Sequence, residues 1–421
     1  MKVCLVGVKY GTTPVAIRER LAIGSSQLGD ALLLLHNYVS EGVILPTCNR
    51  TEVYTVTDKD SSPESTVTPF FKAWVNLSDA DLLPYTYIHQ DEAAIKHLFC
   101  VASGLDSLVI GEFEILGQLD RALKEAEKMH LAGLPLVSLF HQALGVGRRV
   151  RTETGISRKA LSVSSVAVEL AAAVVGDISN CQILVIGAGE AGRLVAKAAK
   201  ERGGRLITIA SRSQERASAL ATTLGGDSVS LDNLAQELSN SDIAITGTAA
   251  PHLIVRPPLV KEAMSARPKR PLVIIDIAVP RDVDPEVKQI DNVFLYDIND
   301  FTSIVELNRE QRENEVQTAM KIVDNEVERF ISRWRAYEVK PIITALVTKA
   351  ENVRQAQFSK TLKKLPGLSD EERASLEAMT KSIVQKILHE PIQCLKRNTH
   401  KKEDYTQVVN ELFHLDKERL N

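Results

Sequence analysis

Three features predict a multidomain α/β protein. The first third of the chain runs strand, helix, strand, strand, helix, strand, which is the order of a ferredoxin-like α+β domain. The middle third alternates strand and helix around the turn Gly187-Ala188-Gly189-Glu190-Ala191-Gly192, the pattern of a Rossmann-type, doubly wound parallel sheet. The last third has only helical spacing and reads as an all-helical domain on a long spinal helix. The expected boundaries are 1–158, 159–300 and 301–421.

In the first region a strand covers 3–8 and a helix 25–39. Hairpin strands follow at 43–45 and 52–57, with Pro46 breaking the first. A helix near 67–76, a strand at 85–90 and a helix at 91–102 complete the pattern. Two further helices are expected near 113–130 and 135–151.

The middle region opens on the apolar run Gln182-Ile183-Leu184-Val185-Ile186, too short for a helix and directly followed by the glycine turn. Later strands are expected at 206–210, 242–246, 272–277 and 293–296. In the tail, 301–337 reads as one helix, polar all round from Glu306 to Glu315 as in helices that bridge domains. At 1.5 Å per residue it would extend roughly 55 Å. Pro341 marks a break, helical patterns return at 342–358, 370–389 and 403–415, and Pro391 ends the middle one. Thin apolar faces such as Leu376, Met379, Ile383, Val384 and Ile387 need a partner, so self-association as a homodimer is expected.

Composition excludes several classes. The 421 residues are 44% hydrophobic and 25% charged, enough for several cores. A net charge of −3 supplies no global basic field for nucleic acid, so phosphate contacts would need local patches. Arg148, Arg149, Arg151, Arg158 and Lys159 form the densest one near the first region. The five cysteines are odd in number, scattered and without a CxxC pair, which fits a reducing compartment. The nine histidines contain no HExxH or other tight ligand pair, so no metal is expected. No apolar run reaches 18 residues, and the chain starts directly in a strand without a signal-peptide pattern. Cytoplasm is the expected location, with no membrane contact.

Cys48 lies in Thr47-Cys48-Asn49-Arg50-Thr51-Glu52, at the turn between the two hairpin strands, where a thiol is exposed. Arg50 nearby favours the thiolate, the form that attacks carbonyls. The same residues also suit a plain hairpin turn.

The glycine turn supplies a dinucleotide site. Gly187 permits the tight turn, Gly189 lets backbone approach a pyrophosphate, and Gly192 allows close helix–sheet packing. Ala188, Glu190 and Ala191 complete the loop at a helix N-terminus, where free N–H groups favour an anion. The second strand ends in Ser211-Arg212-Ser213, with no acid to repel a 2′-phosphate and an Arg to pair with it, so NADPH is expected. A reactive thiol plus a hydride donor points to reduction of an activated acyl group through a thioester. These arguments do not name the acyl carrier.

The whole chain resembles the glutamyl-tRNA reductases. The matching motifs are Leu45 to Glu52, Val101-Ala102-Ser103-Gly104-Leu105-Asp106-Ser107-Leu108-Val109-Ile110-Gly111-Glu112, Ile115-Leu116-Gly117-Gln118, Arg149 to Thr154, the Gly187–Gly192 loop, and Asp276-Ile277-Ala278-Val279-Pro280-Arg281-Asp282. The resemblance implies NADPH-dependent reduction of glutamyl-tRNA(Glu) to glutamate-1-semialdehyde, the first step of the five-carbon route to tetrapyrroles. It implies Cys48 as the nucleophile, with His97 assisting as acid/base or positioning group. Thr47, Asn49, Arg50, Ser107, Glu112, Phe113, Glu114 and Gln118 would line the glutamate pocket. Arg50 would pair with the substrate side-chain carboxylate, and Glu112 or Glu114 with its α-ammonium group. A homodimer through the C-terminal helices is implied, and glutamate-1-semialdehyde aminotransferase is a candidate partner. Where the family's first strand often ends in Asn-His-Lys, this chain has Lys9-Tyr10-Gly11, so any role of that His is not carried over.

Two other readings compete. A shikimate-dehydrogenase-like oxidoreductase acting on a free small molecule would use the middle region but leave Cys48 and the helical tail without a purpose. A tRNA-binding or nucleotide-sensing protein without turnover would not need the Cys48–Arg50 turn.

Overall fold

The computed structural model describes residues 2–9, 11–24, 26–57, 63–75, 82–112, 114–157, 162–301, 312–397 and 405–415. These divide into two compact units, Met1–Asp324 and Asn325–Asn421.

The first unit begins with β1 (Lys2–Lys9), α1 (Val15–Leu21), α2 (Leu28–Leu35), β2 (Gly42–Pro46), β3 (Arg50–Thr57), α3 (Pro63–Val75), β4 (Tyr87–Gln90) and α4 (Asp91–Ala102). The sheet order is β2-β3-β1-β4, antiparallel throughout, which is the ferredoxin-like arrangement the element order predicts. β3 is buried along its whole length, so its polar side chains lie in the interior and need partners there. Helix α1 was not among the expected elements; Pro14 supplies an extended residue just before its first turn. α5 (Glu114–Lys128) and α6 (Leu134–Glu153) follow, with α5 against β2 and α6 against β3.

The second part of this unit runs α7 (Val163–Val175), β5 (Gln182–Ile186), α8 (Glu190–Glu201), β6 (Leu206–Ser211), α9 (Gln214–Leu224), β7 (Asp227–Ser230), α10 (Leu234–Asn240), β8 (Ile243–Thr246), α11 (Pro257–Ser265), β9 (Leu272–Asp276) and β10 (Val293–Asp297). The six strands are parallel in the order β10-β9-β8-β5-β6-β7, a doubly wound sheet with its topological switch at β5. Apolar clusters cover it on both sides, one built around Val166, Val185, Val195 and Ile275, the other around Leu184, Leu238, Val260 and Ile274. β7 went unpredicted because Asp227-Ser228-Val229-Ser230 carries almost no apolar signal.

Two expectations about prolines fail. α12 runs without interruption from Glu313 to Lys364, and Pro341 sits inside it. α13 (Asp370–Arg397) likewise continues past Pro391. Proline removes one hydrogen bond and crowds one carbonyl, and helices this long absorb that local loss. Residues 302–311 of the expected long helix lie outside the described residues. In the second unit α13 and α14 (Tyr405–Leu412) share a small core with Leu346, Leu388 and Leu415. Met379, Ile383 and Ile387, spaced by four on α13, remain 49–64% exposed, an uncovered apolar stripe. Among the described residues no helix is long and apolar enough to cross a membrane.

Candidate active site

The β2–β3 turn is closed by one threonine. Thr47 Oγ1 accepts the N–H groups of Asn49 (3.1 Å) and Arg50 (3.0 Å), and Thr47 N–H donates to the Arg50 carbonyl (2.8 Å). Cys48 stands at the tip, half-buried and free of any disulfide. Asn49 is buried, and its Oδ1 has no partner among the described residues.

Behind the turn lies a polar cluster centred on Glu52. This carboxylate is fully buried and accepts from Arg50 Nη1 (2.9 Å), Tyr54 (2.6 Å), His97 Nε2 (2.8 Å) and Tyr87. A carboxylate can only accept, so His97 carries its proton on Nε2. Burial disfavours the Glu52 charge, but His97, Arg50 and the hydrogen bonds outweigh it and hold the carboxyl far below its ordinary range. Arg50 Nη1 also meets Asp106 Oδ2 at 2.9 Å, and Lys9 Nζ meets Asp106 at 3.0 Å. Burial again opposes the Asp106 charge and is again outweighed, here by Arg50, His97 and Lys9. His89 and Tyr87 pack beside His97, with ring centroids 5.0 and 5.6 Å away.

The thiol faces a different set of charges. Burial, then Glu112 and Glu114, push Cys48 up to about 12, and Arg18 of α1 pulls it down. Arg50, expected to favour the thiolate, is engaged by Glu52 and Asp106, and the cation that lowers the Cys48 thiol is Arg18. The Ser107 hydroxyl donates to Glu112, and Arg151 Nη2 donates to the Glu112 carbonyl (2.7 Å). Glu114 is pushed up to about 7 by burial, then by Glu112 and by Glu190. Gln118 lies one turn along α5 from Glu114, half-buried on the same face. Phe113 lies outside the described residues.

Of the basic patch, Arg158 and Lys159 also lie outside the described residues. Arg149 pairs with Glu153 on its own helix (2.7 Å), and Arg151 turns inward to Glu112. The sequence reading gave no role to Glu52, Asp106, Arg18 or Tyr87. The period-two spacing of Arg50, Glu52 and Tyr54 on one strand was the available signal for the cluster.

The glycine loop is shaped for a dinucleotide. Gly187 has φ +115°, and a Cβ at Gly192 would lie 1.9 Å from the Gly187 carbonyl oxygen. A Cβ at Gly189 would meet no protein atom within 4 Å, so that position opens onto the space in front of the α8 N-terminus. Ser211 and Ser213 sit at the end of β6, half-buried, and Arg212 between them is exposed, without an ion-pair partner among the described residues. A cleft of about 390 Å³ adjoins Ala188 and is lined by Arg193, Lys197 and Arg216.

The two parts of the first unit meet through α1 and α5. Glu19 accepts from Arg281 N–H (3.0 Å), Nε (2.6 Å) and Nη2 (2.8 Å), and Arg18 Nη2 donates to Asn299 Oδ1 (3.3 Å). Arg121 pairs with Glu190 at 2.8 Å.

Comparison with known proteins agrees with this architecture. Residues 6–154 match the family model "Glutamyl-tRNAGlu reductase, N-terminal domain", 169–304 match "Shikimate / quinate 5-dehydrogenase", and 318–415 match "Glutamyl-tRNAGlu reductase, dimerisation domain". The middle match identifies a nicotinamide-dinucleotide-binding domain, and the last supports a homodimer, in keeping with the exposed stripe on α13. The glutamyl-tRNA reductase of Nitratidesulfovibrio vulgaris (strain DP4) is 39% identical over 99% of this chain and 95% of its own. That of Geotalea uraniireducens is 37% identical over 100% and 98%. The solved structure of glutamyl-tRNA reductase from Methanopyrus kandleri is 29% identical, covers 97% of each chain and superposes with a TM-score of 0.52. A free-standing shikimate-dehydrogenase-like enzyme is not favoured, because the relatives match from end to end, and the chain belongs to the glutamyl-tRNA reductase family.

Proposed function

We propose that this enzyme uses NADPH to reduce glutamyl-tRNA(Glu) to glutamate-1-semialdehyde through a Cys48 thioester. The observation that carries the reading is that α5, which begins at Glu114, is tied to the dinucleotide helix by the Arg121–Glu190 pair at 2.8 Å. Glu114 also raises the Cys48 thiol, which supports one site for nucleophile and cofactor loop.

The Cys48 thiolate attacks the ester carbonyl carbon; a C–S bond forms, and the C–O bond to the tRNA ribose breaks, its oxygen taking a proton. Burial first, and then Glu112 and Glu114, hold the resting thiol protonated. The α-ammonium group of the substrate would offset the part of that effect that the two carboxylates supply. Thr47 fixes the turn, the unpartnered Asn49 Oδ1 is free to accept from substrate, and Ser107 and Gln118 border the same carboxylates. Arg50 offers charge to the substrate side-chain carboxylate, and His97, tied to Glu52, positions it.

Gly187–Gly192 would hold the pyrophosphate, and Ser211, Arg212 and Ser213 the 2′-phosphate, with Arg193, Lys197 and Arg216 adding positive charge nearby. NADPH, when bound, supplies the hydride that converts the thioester to the aldehyde and returns the thiolate. Domain limits at 158 and 300, a cytoplasmic location and transfer of the aldehyde to an aminotransferase belong to the same reading.

Charged glutamyl-tRNA without NADPH tests it. The native protein should accumulate a glutamyl-enzyme, and Cys48→Ala should form neither that adduct nor aldehyde. Ser in place of Cys4, Cys100, Cys181 or Cys394 should leave the reaction measurable. Substantial turnover by Cys48→Ala would sink the thioester mechanism.

A further inference from the structure

We propose that Asp106 is an internal competitor for Arg50, held on the guanidinium that receives the substrate side-chain carboxylate, and that Lys9 is the cation that keeps Asp106 when the substrate displaces it. The inference rests on Arg50 as the residue that recognises the carboxylate and concerns what sets the strength of that recognition. Lys9 belongs to the run Lys9-Tyr10-Gly11, which the proposed reaction leaves without a role.

The geometry begins with the register of the first sheet. β1 sets Lys9 directly opposite Arg50 on β3. Like charges in a cross-strand pair repel. An anion between them removes the conflict, and Asp106, from the turn after α4, is that anion. Its Oδ2 accepts from Arg50 Nη1 at 2.9 Å, and Lys9 Nζ donates to both of its oxygens, at 3.0 and 3.1 Å. His97 Nδ1 stands 4.0 Å from the same Oδ2. The Lys9 ammonium also lies 5.4 Å from the centre of the Tyr87 ring, which steadies it beside the cluster.

Arg50 has two carboxylate partners, and they differ in freedom. Glu52 is fully buried and accepts from Tyr54, Tyr87 and His97 as well as from Arg50, so it stays. The Asp106 side chain is 30% exposed and takes one hydrogen bond from Arg50. Arg50 Nη2 donates separately to the Asp106 backbone carbonyl, which keeps the turn in place while the side chain rotates. A substrate carboxylate can therefore take the place of Asp106 Oδ2 on Nη1. The exchange swaps one carboxylate for another at the same guanidinium. The displaced Asp106 keeps an ion pair with Lys9, so no charge is stranded. With a neutral residue at position 9, Asp106 would cling to Arg50 and the substrate would have to break that pair outright.

The test is steady-state kinetics of the full-length protein with NADPH. Glutamyl-tRNA(Glu) is the substrate, and the same tRNA charged with glutamine is the competitor, since glutamine has the shape of glutamate without the side-chain charge. Lys9→Met should raise KM for glutamyl-tRNA about tenfold, the lower end for one hydrogen bond to a charged group, and leave kcat unchanged. It should leave Ki of the glutaminyl competitor unmoved, because a neutral amide does not displace Asp106. Lys9→Arg keeps the charge and should restore KM. Asp106→Asn removes the internal competitor and should lower KM, and in that background Lys9→Met should lose most of its effect. An unmoved KM in Lys9→Met overturns the proposal, as does a KM that fails to fall in Asp106→Asn, which would make Asp106 a fixed brace. An equal rise of KM and Ki in Lys9→Met overturns it too, and that comparison stands even where Asp106→Asn does not fold, as thermal melting will show. Equal affinity of the native protein for the two charged tRNAs would remove Arg50 from carboxylate recognition, a failure visible before any variant is made. Trapping of the glutamyl-enzyme without NADPH decides the Cys48 assignment separately.

Discussion

Tyr87 donates its phenolic hydrogen to Glu52 across a strand that lies between them. Gly7 of β1 pairs with Glu52 on one side and Tyr87 on the other. A Cβ there would lie 2.8 Å from Glu52 Cγ and 3.2 Å from the Tyr87 hydroxyl. The glycine leaves the gap through which the two side chains meet.

Gly7→Ala should therefore wedge the cluster open. Overpacking of this kind costs about 1–3 kcal/mol, and turnover should fall with it because Arg50 hangs on Glu52. Tyr87→Phe, which removes one donor and no volume, should cost about 1.5–3 kcal/mol. Urea midpoints for both variants check this. A Gly7→Ala midpoint equal to the parent's would show that the gap has no energetic role.

Acid should dissolve the same cluster. The folded pKa of Glu52 is depressed relative to the unfolded value of about 4.3, so its contribution is present in full above that pH. It is lost as pH falls toward the folded value, and Asp106 follows the same sign. Glu52→Gln should cost about 3–5 kcal/mol at pH 7, because it leaves the buried Arg50 with Asp106 alone as its anionic partner and takes the charged acceptor from Tyr54, Tyr87 and His97. The gap between variant and parent should narrow by pH 3. Unfolding free energies at the two pH values measure it, and a constant gap would remove Glu52 from the acid response.

Much of this was legible in the sequence, for a physical reason. Period-two runs and the Gly187–Gly192 turn report local backbone demands, and local demands are written in adjacent residues. The Thr47 turn could be read the same way. The Glu52 cluster could not, since its donors come from two strands and a helix, positions 50, 54, 87 and 97. Arg50 and Arg18 show the difference most clearly. Proximity in sequence suggested Arg50 as the partner of Cys48, but a buried carboxylate two residues on claims it, and the cation that pulls the thiol down lies on a helix thirty positions earlier. The prolines misled in the opposite direction: their local penalty is real, but long helices outvote it.

The glycine loop separates folding from binding. At Gly192 a methyl group would run into the Gly187 carbonyl, so Gly192→Ala should destabilise the middle domain by about 1–3 kcal/mol or more. At Gly189 the same methyl meets no protein atom, so Gly189→Ala should keep stability within about 0.5 kcal/mol. It should nevertheless weaken nucleotide binding, since the methyl occupies the approach to the α8 N–H groups. Melting curves with and without NADPH distinguish the two. Undiminished NADPH binding by Gly189→Ala would place the pyrophosphate elsewhere.

Arg149 and Arg151 should part ways. Arg149 is at the surface, paired with a neighbour on its own helix, and Arg149→Ala should alter stability by less than about 1 kcal/mol. If it reaches tRNA phosphate, the slope of log affinity against log salt should become shallower by roughly one. Arg151 supports the Glu112 carbonyl, so Arg151→Ala should lower turnover and leave that slope unchanged. Filter binding of charged tRNA over a salt series, beside a turnover assay, reads both.

Arg212 should decide between the two nicotinamide cofactors. It is exposed at the end of β6, between two serines, with no carboxylate of the described residues engaging it. A guanidinium held free at that place suits a 2′-phosphate, which NADPH has and NADH lacks. Arg212→Glu replaces attraction with repulsion at that one group. The lost charge-assisted bond alone is worth about 1.5–3 kcal/mol, a tenfold to hundredfold loss of NADPH affinity. NADH affinity should change little, because its 2′-hydroxyl carries no charge, and an acid there can even accept a hydrogen bond from it. Fluorescence titration of both nucleotides against the native protein and the variant gives the comparison directly. Equal losses for NADPH and NADH would mean that Arg212 supports the fold of the loop and that the 2′-phosphate is gripped by other residues.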